Sequence, residues 1–118
     1  MQNQELKKEE PKATSGDSLV IYYDANLFEL SLPDKEKLKQ FAESLSQSKY
    51  TKLKILGFTD DSGAFSKERA LKVEEYLIQI GIQKNSLSTQ DKGSKNPSYS
   101  NNTDDGRYHN RRVVVLKQ

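Results

Sequence analysis

The chain has 118 residues, 33% of them hydrophobic and 31% charged, with 19 basic against 17 acidic side chains and a formal net charge of +2. That length fits one domain plus a tail, and so even a charge balance argues against nucleic acid or an anionic membrane as the main partner. Cysteine is absent, which excludes a disulfide framework, a thiolate nucleophile and a zinc–cysteine site.

Residues 1–17, "MQNQELKKEEPKATSGD", carry almost nothing apolar and end in a Thr-Ser-Gly-Asp cluster. Such a segment cannot offset the entropy of ordering and reads as a flexible tether. Its first residues lack the apolar centre of a signal peptide, and no run in the chain approaches the roughly 20 apolar residues that span a bilayer. Any export signal or membrane anchor is therefore expected outside this chain. From Ser18 the character changes, and the β-branched and aromatic run "SLVIYY" predicts a first strand.

In "SLPDKEKLKQFAESLSQS", Ser31 is placed as an N-cap with Pro33 and Asp34 in the first turn. Leu38, Phe41, Ala42 and Leu45 then recur at i, i+3, i+4 and i+7 and form one apolar helix face. "TKLKILGF" alternates and predicts a strand ending near Phe58. A second helix is expected from about Ser66 to Ile80, burying Ala70, Val73, Leu77 and Ile80, with Gly81 just beyond it. A weak third strand begins near Leu87. The turn-rich "SKNPSYSNNTDDG" leads to a loop or short helix reaching Asn110, and "RRVVVLKQ" closes the chain as a final strand. Alternation of this kind places helices against a sheet containing parallel pairs.

Enzymatic readings find little support. His109 is the only histidine and has no nucleophile signature near it. Asp60 and Asp61 resemble a metal or acid–base pair, yet adjacent residues leaving a strand point to opposite faces and no third ligand type is near. "GSKNPS" lacks Walker spacing. No catalytic residue, metal or cofactor is assigned. Arg107, His109, Arg111 and Arg112, with Tyr108 among them, have the composition of a nucleic-acid patch. Asp104 and Asp105 precede them, however, so a structural role is assigned: at least one of Arg111 and Arg112 braces the last strand against those carboxylates.

Asp60 and Arg69 stand apart. In α/β units ligands gather at the carboxyl ends of strands, where the amides of the next helix are exposed. With Ser66 as N-cap, Arg69 would occupy N3, where a cation opposes the helix dipole. The bland reading is a surface Asp–Arg pair worth less than about 1 kcal/mol; the functional one is a site for a ligand carrying both charges.

In that stretch "GFTDDSG" resembles the Gly-His-Thr-Asp-x-x-Gly of the OmpA-like, peptidoglycan-associating domains. "SKERALKVEEYL" is similar to their Ser-x-x-Arg-Ala-x-x-Val-x-x-x-Leu. "GI" at Gly81, "NP" at Asn96, "NNTDDGR" and "NRRV" at Asn110 follow in family order, and "VIYYDANLFELSLPDKEKL" resembles the family's opening strand and loop. The resemblance runs from about Ser18 to Leu116 and implies an OmpA-C-like domain over 18–118. Together with the pattern it predicts an α/β sandwich of order βαβαβ(α)β, a mixed sheet of about four strands with helices over one face.

What the resemblance implies is non-covalent anchoring to the cell wall, in the periplasm and in association with the outer membrane, through the diaminopimelate of the peptidoglycan stem peptide. Asp60 would accept from the ligand's ammonium and Arg69 would clamp its carboxylate. Thr59, Asp61 and Gly63 complete the ligand-binding loop, and Asn110, Arg111 and Arg112 take structural or secondary roles. The alternative is a module that assembles with other envelope proteins and has lost wall binding. Phe58 stands where the family commonly has histidine. Only Ala64 and Phe65 separate Gly63 from Ser66, a shorter connection than the family's, and a supporting Asn of that loop has no counterpart. A pocket shallower and more open than in longer-loop relatives is expected, with salt-sensitive binding.

Overall fold

A computed structural model describes residues 18–45, 52–95 and 97–118. The tether expected over 1–17 and Asn96 of the Asn-Pro pair lie outside the described residues. Strand β1 spans Ser18–Tyr22, helix α1 Leu32–Leu45, β2 Leu53–Phe58, α2 Ser66–Gln79, β3 Leu87–Gly93, α3 Asp104–Asn110 and β4 Arg112–Lys117. The sheet order is β1-β4-β2-β3, with β2 and β3 parallel and β4 antiparallel to both β1 and β2. The mixed four-stranded sheet with its helical layer is the expected α/β sandwich. A 3-10 turn at Lys84–Ser86, not foreseen, leads into β3.

The core follows from the two periodicities. Leu19 and Ile21 of β1, Leu53 and Ile55 of β2, and Val113 and Val115 of β4 are buried at period two. They meet Leu38, Phe41 and Leu45 of α1 and Ala70, Val73 and Leu77 of α2 in one cluster. Each Leu, Ile, Val or Phe among them contributes about 1.5–3 kcal/mol when fully buried. Ala42 is half-buried, and Ile80, just past α2, packs on the core only in part. Val20 and Val114 alternate with the core residues yet are also buried. The unbroken apolar runs of β1 and β4 thus match burial on both faces.

Ser31 caps α1 as its sequence predicts, its hydroxyl accepting from the Asp34 amide at 3.2 Å. The start of α2 differs from expectation. Ser66 is its first helical residue and Phe65 the cap, in a left-handed conformation (φ 71°) and with no side-chain capping bond. The Ser66 hydroxyl instead donates to the Asp91 carboxylate at 2.6 Å, tying α2 to the end of β3. Arg69 therefore sits at N4, one residue further into the helix than expected.

What seats α2 on the sheet is Gly57. A Cβ there would lie 2.2 Å from the Ser66 carbonyl oxygen and 3.0 Å from the Ala70 Cβ, so the first turn of the helix rests directly on the β2 backbone. Gly57→Ala is accordingly expected to lower stability by about 1–3 kcal/mol, the cost of overpacking. Urea unfolding followed by circular dichroism measures it; an unchanged midpoint would mean that α2 does not depend on this contact.

Candidate functional site

Past Phe58 the chain leaves the sheet and turns back through Asp60–Gly63. The Gly63 amide donates to the Asp60 carbonyl at 3.0 Å, and Gly63 takes the positive φ (73°) that glycine tolerates. Asp60 closes this turn with its own side chain: Oδ1 accepts from the Ser62 amide at 3.0 Å and the Ser62 hydroxyl at 2.5 Å. Short polar side chains stabilise turns in this way. Oδ2 accepts from Arg111 Nη1 at 2.7 Å, an ion pair with both side chains largely out of solvent. Burial raises the Asp60 pKa, but the bonds from Ser62 and Arg111 outweigh it and hold the carboxyl below its ordinary value.

Arg69 rises from the first turns of α2 into the same region and is 1% exposed. Nε donates to the Leu27 carbonyl at 2.7 Å. The two terminal nitrogens make only long contacts of 3.4 Å, Nη1 to Thr59 Oγ1 and the Ala64 carbonyl, Nη2 to the Asp24 carbonyl. The rings of Tyr23 and Phe65 lie 5.0 and 5.8 Å from the guanidinium carbon. Burial lowers the Arg69 pKa, although a guanidinium stays charged in proteins. These hydrogen-bond partners are all neutral; Asp60 forms its direct ion pair with Arg111 and acts on Arg69 only at longer range.

Thr59 is buried, its hydroxyl donating to the Ala64 carbonyl at 2.7 Å and so bracing the loop that Arg69 touches. Asp61 and Gly63 are exposed at the turn. Asn110 is fully buried and holds the 97–103 loop to the end of α3, accepting from the Tyr99 amide and donating to the Tyr99 carbonyl and Asn101 Oδ1. Arg112 is buried on the other side, 3.9 Å from the Phe58 ring centroid and bonded to Ser98 Oγ and the Asn110 carbonyl.

Two expectations are corrected. Arg111 is not braced by Asp104 or Asp105, because Asp104 pairs with Arg107 and Asp105 lies against His109, all within one short helix. Arg111 ends that helix and turns towards Asp60. Nor is the region open: Asp60 is 4% exposed. Carbonyls of the β1–α1 loop cover Arg69, and the Phe28 and Phe65 rings meet at 5.2 Å. A short β2–α2 connection brings Phe65 close instead of leaving a gap. Tyr23, Asp24, Leu27, Ser62 and Phe65 were not foreseen at this place. Their contributions are carbonyls, rings and a turn hydroxyl, which no charge pattern marks.

The Asp60–Arg111 pair carries a pH signature. With the folded-state pKa lowered, its stabilisation is complete above the ordinary Asp value near 4 and is lost as pH falls through the folded pKa. Melting temperatures of wild type and Asp60→Asn should therefore differ at neutral pH and converge in acid below about pH 4. A gap that stays constant with pH would exclude carboxylate ionisation as its cause.

Comparison with known proteins agrees with this architecture. The chain matches the OmpA family model over residues 22–111. It is 35% identical over 89 residues to the peptidoglycan-binding protein ArfA of Mycobacterium tuberculosis, covering 70% of this chain and 27% of that protein. Outer membrane protein A of Bordetella avium is 32% identical over 100 residues, 80% of this chain and 52% of that one. The chain thus spans about half or less of the length of these relatives. The crystal structure of the peptidoglycan-associated lipoprotein from Burkholderia pseudomallei superposes with a TM-score of 0.76 at 22% identity, covering 91% of this chain and 97% of that one. Since the family match runs from Tyr22 at the end of β1 to Arg111 at the foot of β4, and so takes in every side chain around Asp60 and Arg69, this chain belongs to the OmpA family.

Proposed function

We propose that this domain binds peptidoglycan non-covalently in the cell envelope, taking the free end of the stem-peptide diaminopimelate between Asp60 and Arg69. One observation carries the reading: a buried guanidinium with only neutral partners stands beside a buried carboxylate at the carboxyl end of β2. That ligand end bears an ammonium and a carboxylate on one carbon. Nη1 and Nη2 of Arg69 form the prongs of a fork, and their present contacts are at the outer limit of hydrogen bonding. A carboxylate would replace them with two shorter, charge-assisted bonds. Asp60 Oδ1 is filled by its two bonds from Ser62, while Oδ2, with one bond from Arg111, keeps a lone pair for an ammonium. Thr59 and the Asp60–Gly63 turn hold the two charges in place.

The relatives support the peptidoglycan and envelope part of this reading: ArfA is named for peptidoglycan binding, and the Bordetella protein for the outer membrane. No described helix is long and apolar enough to cross a membrane, so membrane association would come through a segment outside the described residues or through partner envelope proteins. Among the described residues no His, Cys, Asp and Glu cluster could hold a metal.

Arg69→Ala should cost about 2–5 kcal/mol of wall affinity, the range for leaving a desolvated charge unpaired. Arg69→Lys should also fail, since a point charge cannot replace a two-pronged contact. Asp60→Ala should weaken binding as well, through loss of the ammonium acceptor and of the Ser62 turn. Co-sedimentation with diaminopimelate-containing sacculi, on variants verified as folded, measures all three. Undiminished sedimentation of folded Asp60→Ala and Arg69→Ala would overturn the assignment and leave an assembly module of the envelope as the reading of this fold.

A further inference from the structure

The charges around Asp60 do not balance. Asp60 contributes one carboxylate, while Arg69 and Arg111 contribute two guanidiniums, and Asp60 is already engaged by Arg111 at 2.7 Å. Of the other acids nearby, Asp24, Asp61 and Glu68 are all exposed, and none forms an ion pair with either guanidinium. The guanidinium without a direct ion pair is that of Arg69, at 1% exposure: its hydrogen bonds go to carbonyls and one hydroxyl, two rings lie against it, and Asp60 and Glu68 reach it only through their longer-range field. Burying a cation that way is costly, and an anion brought to it relieves the cost. An ammonium arriving at Asp60 meets a carboxylate that a neighbouring cation has already neutralised.

Resting on the proposed peptidoglycan reading, we infer that Arg111 is a specificity-determining residue. By neutralising Asp60 it turns a site that would weigh both ends of a zwitterion equally into one that selects on the carboxylate. The preferred ligand is then a stem peptide whose diamino acid keeps its side-chain carboxylate free. Amidation of that carboxylate, which removes its charge and one acceptor oxygen, is the modification the domain rejects. Covalent engagement of the neighbouring amine, as in a cross-link, is tolerated by comparison. Arg111 is suited to this role because its Nε donates to the Tyr23 carbonyl at 2.9 Å while Nη1 donates to Asp60, so two bonds direct its head to that carboxylate.

Three probes decide the matter by isothermal titration: a diaminopimelate tripeptide with the side-chain ammonium and carboxylate free, the same peptide with that carboxylate as carboxamide, and the same peptide with that amine acetylated. For wild type the carboxamide should lose about tenfold or more in affinity, the scale of a lost charge-assisted bond, and the acetylated peptide about threefold or less. Arg111→Gln should reverse the order by returning Asp60 to the ammonium, whereas Arg111→Lys, which keeps the charge, should preserve the wild-type order. If acetylation costs wild type as much as amidation or more, the inference fails while the peptidoglycan reading stands. If none of the three peptides binds the folded wild type, both fail together. The wild-type series decides between these outcomes even if Arg111→Gln does not fold.

Discussion

The contact on which the site most depends is the 2.7 Å ion pair between Asp60 and Arg111. Asp60 lies just past β2 and Arg111 just before β4, and Arg111 exchanges further bonds with Tyr23, just past β1. Its Nε donates to the Tyr23 carbonyl, and its own carbonyl accepts from the Tyr23 amide at 2.9 Å. Three neighbouring strand ends are thereby fixed to one another at the edge where the loops begin. Because both side chains are largely buried, loss of either would leave the other's charge without its counterion, which makes such a pair costly to break even where it adds little net stability.

That pairing decides the surroundings of Arg69. With Asp60 engaged elsewhere, the second guanidinium takes backbone carbonyls from two loops, Leu27 and Asp24 on one side and Ala64 on the other, and rests against Tyr23 and Phe65. One side chain thus draws the β1–α1 and β2–α2 loops together. The contacts to its terminal nitrogens are long, and Phe65 holds a left-handed backbone conformation that a non-glycine residue adopts at a cost. Gly57 makes the arrangement possible by letting the first turn of α2 sit on the sheet and present Arg69 inward.

Arg111 and Arg112 illustrate how adjacent residues divide between two tasks. Arg111 turns to Asp60, while Arg112, the first residue of β4, points to the opposite side, where it stacks on Phe58 and meets Ser98. The position commonly histidine in the family is Phe58, and here it supplies an aromatic face to a buried guanidinium, a contact that offsets part of the desolvation of Arg112.

Much of the fold was legible in the sequence because it rests on local periodicity. The Leu38–Phe41–Leu45 stripe, the alternation through Leu53 and Ile55, the valine run of β4 and the Ser31 cap each record burial or bonding within a few residues of chain. The proximity of Asp60 to the start of α2 was likewise written locally. What only the tertiary structure decided was partnership. Asp60 and Arg111 are 51 residues apart, Arg69 and Leu27 are 42 apart, and Arg111 and Tyr23 are 88 apart. Charge and spacing along the chain made Asp60 and Arg69 look like partners and Asp104 look like a brace for Arg111. The sheet order instead sets β4 between β1 and β2, which delivers Arg111 to Asp60 first. Residue types determine which groups need a counter-charge once buried; the order of strands in space determines which of them meet.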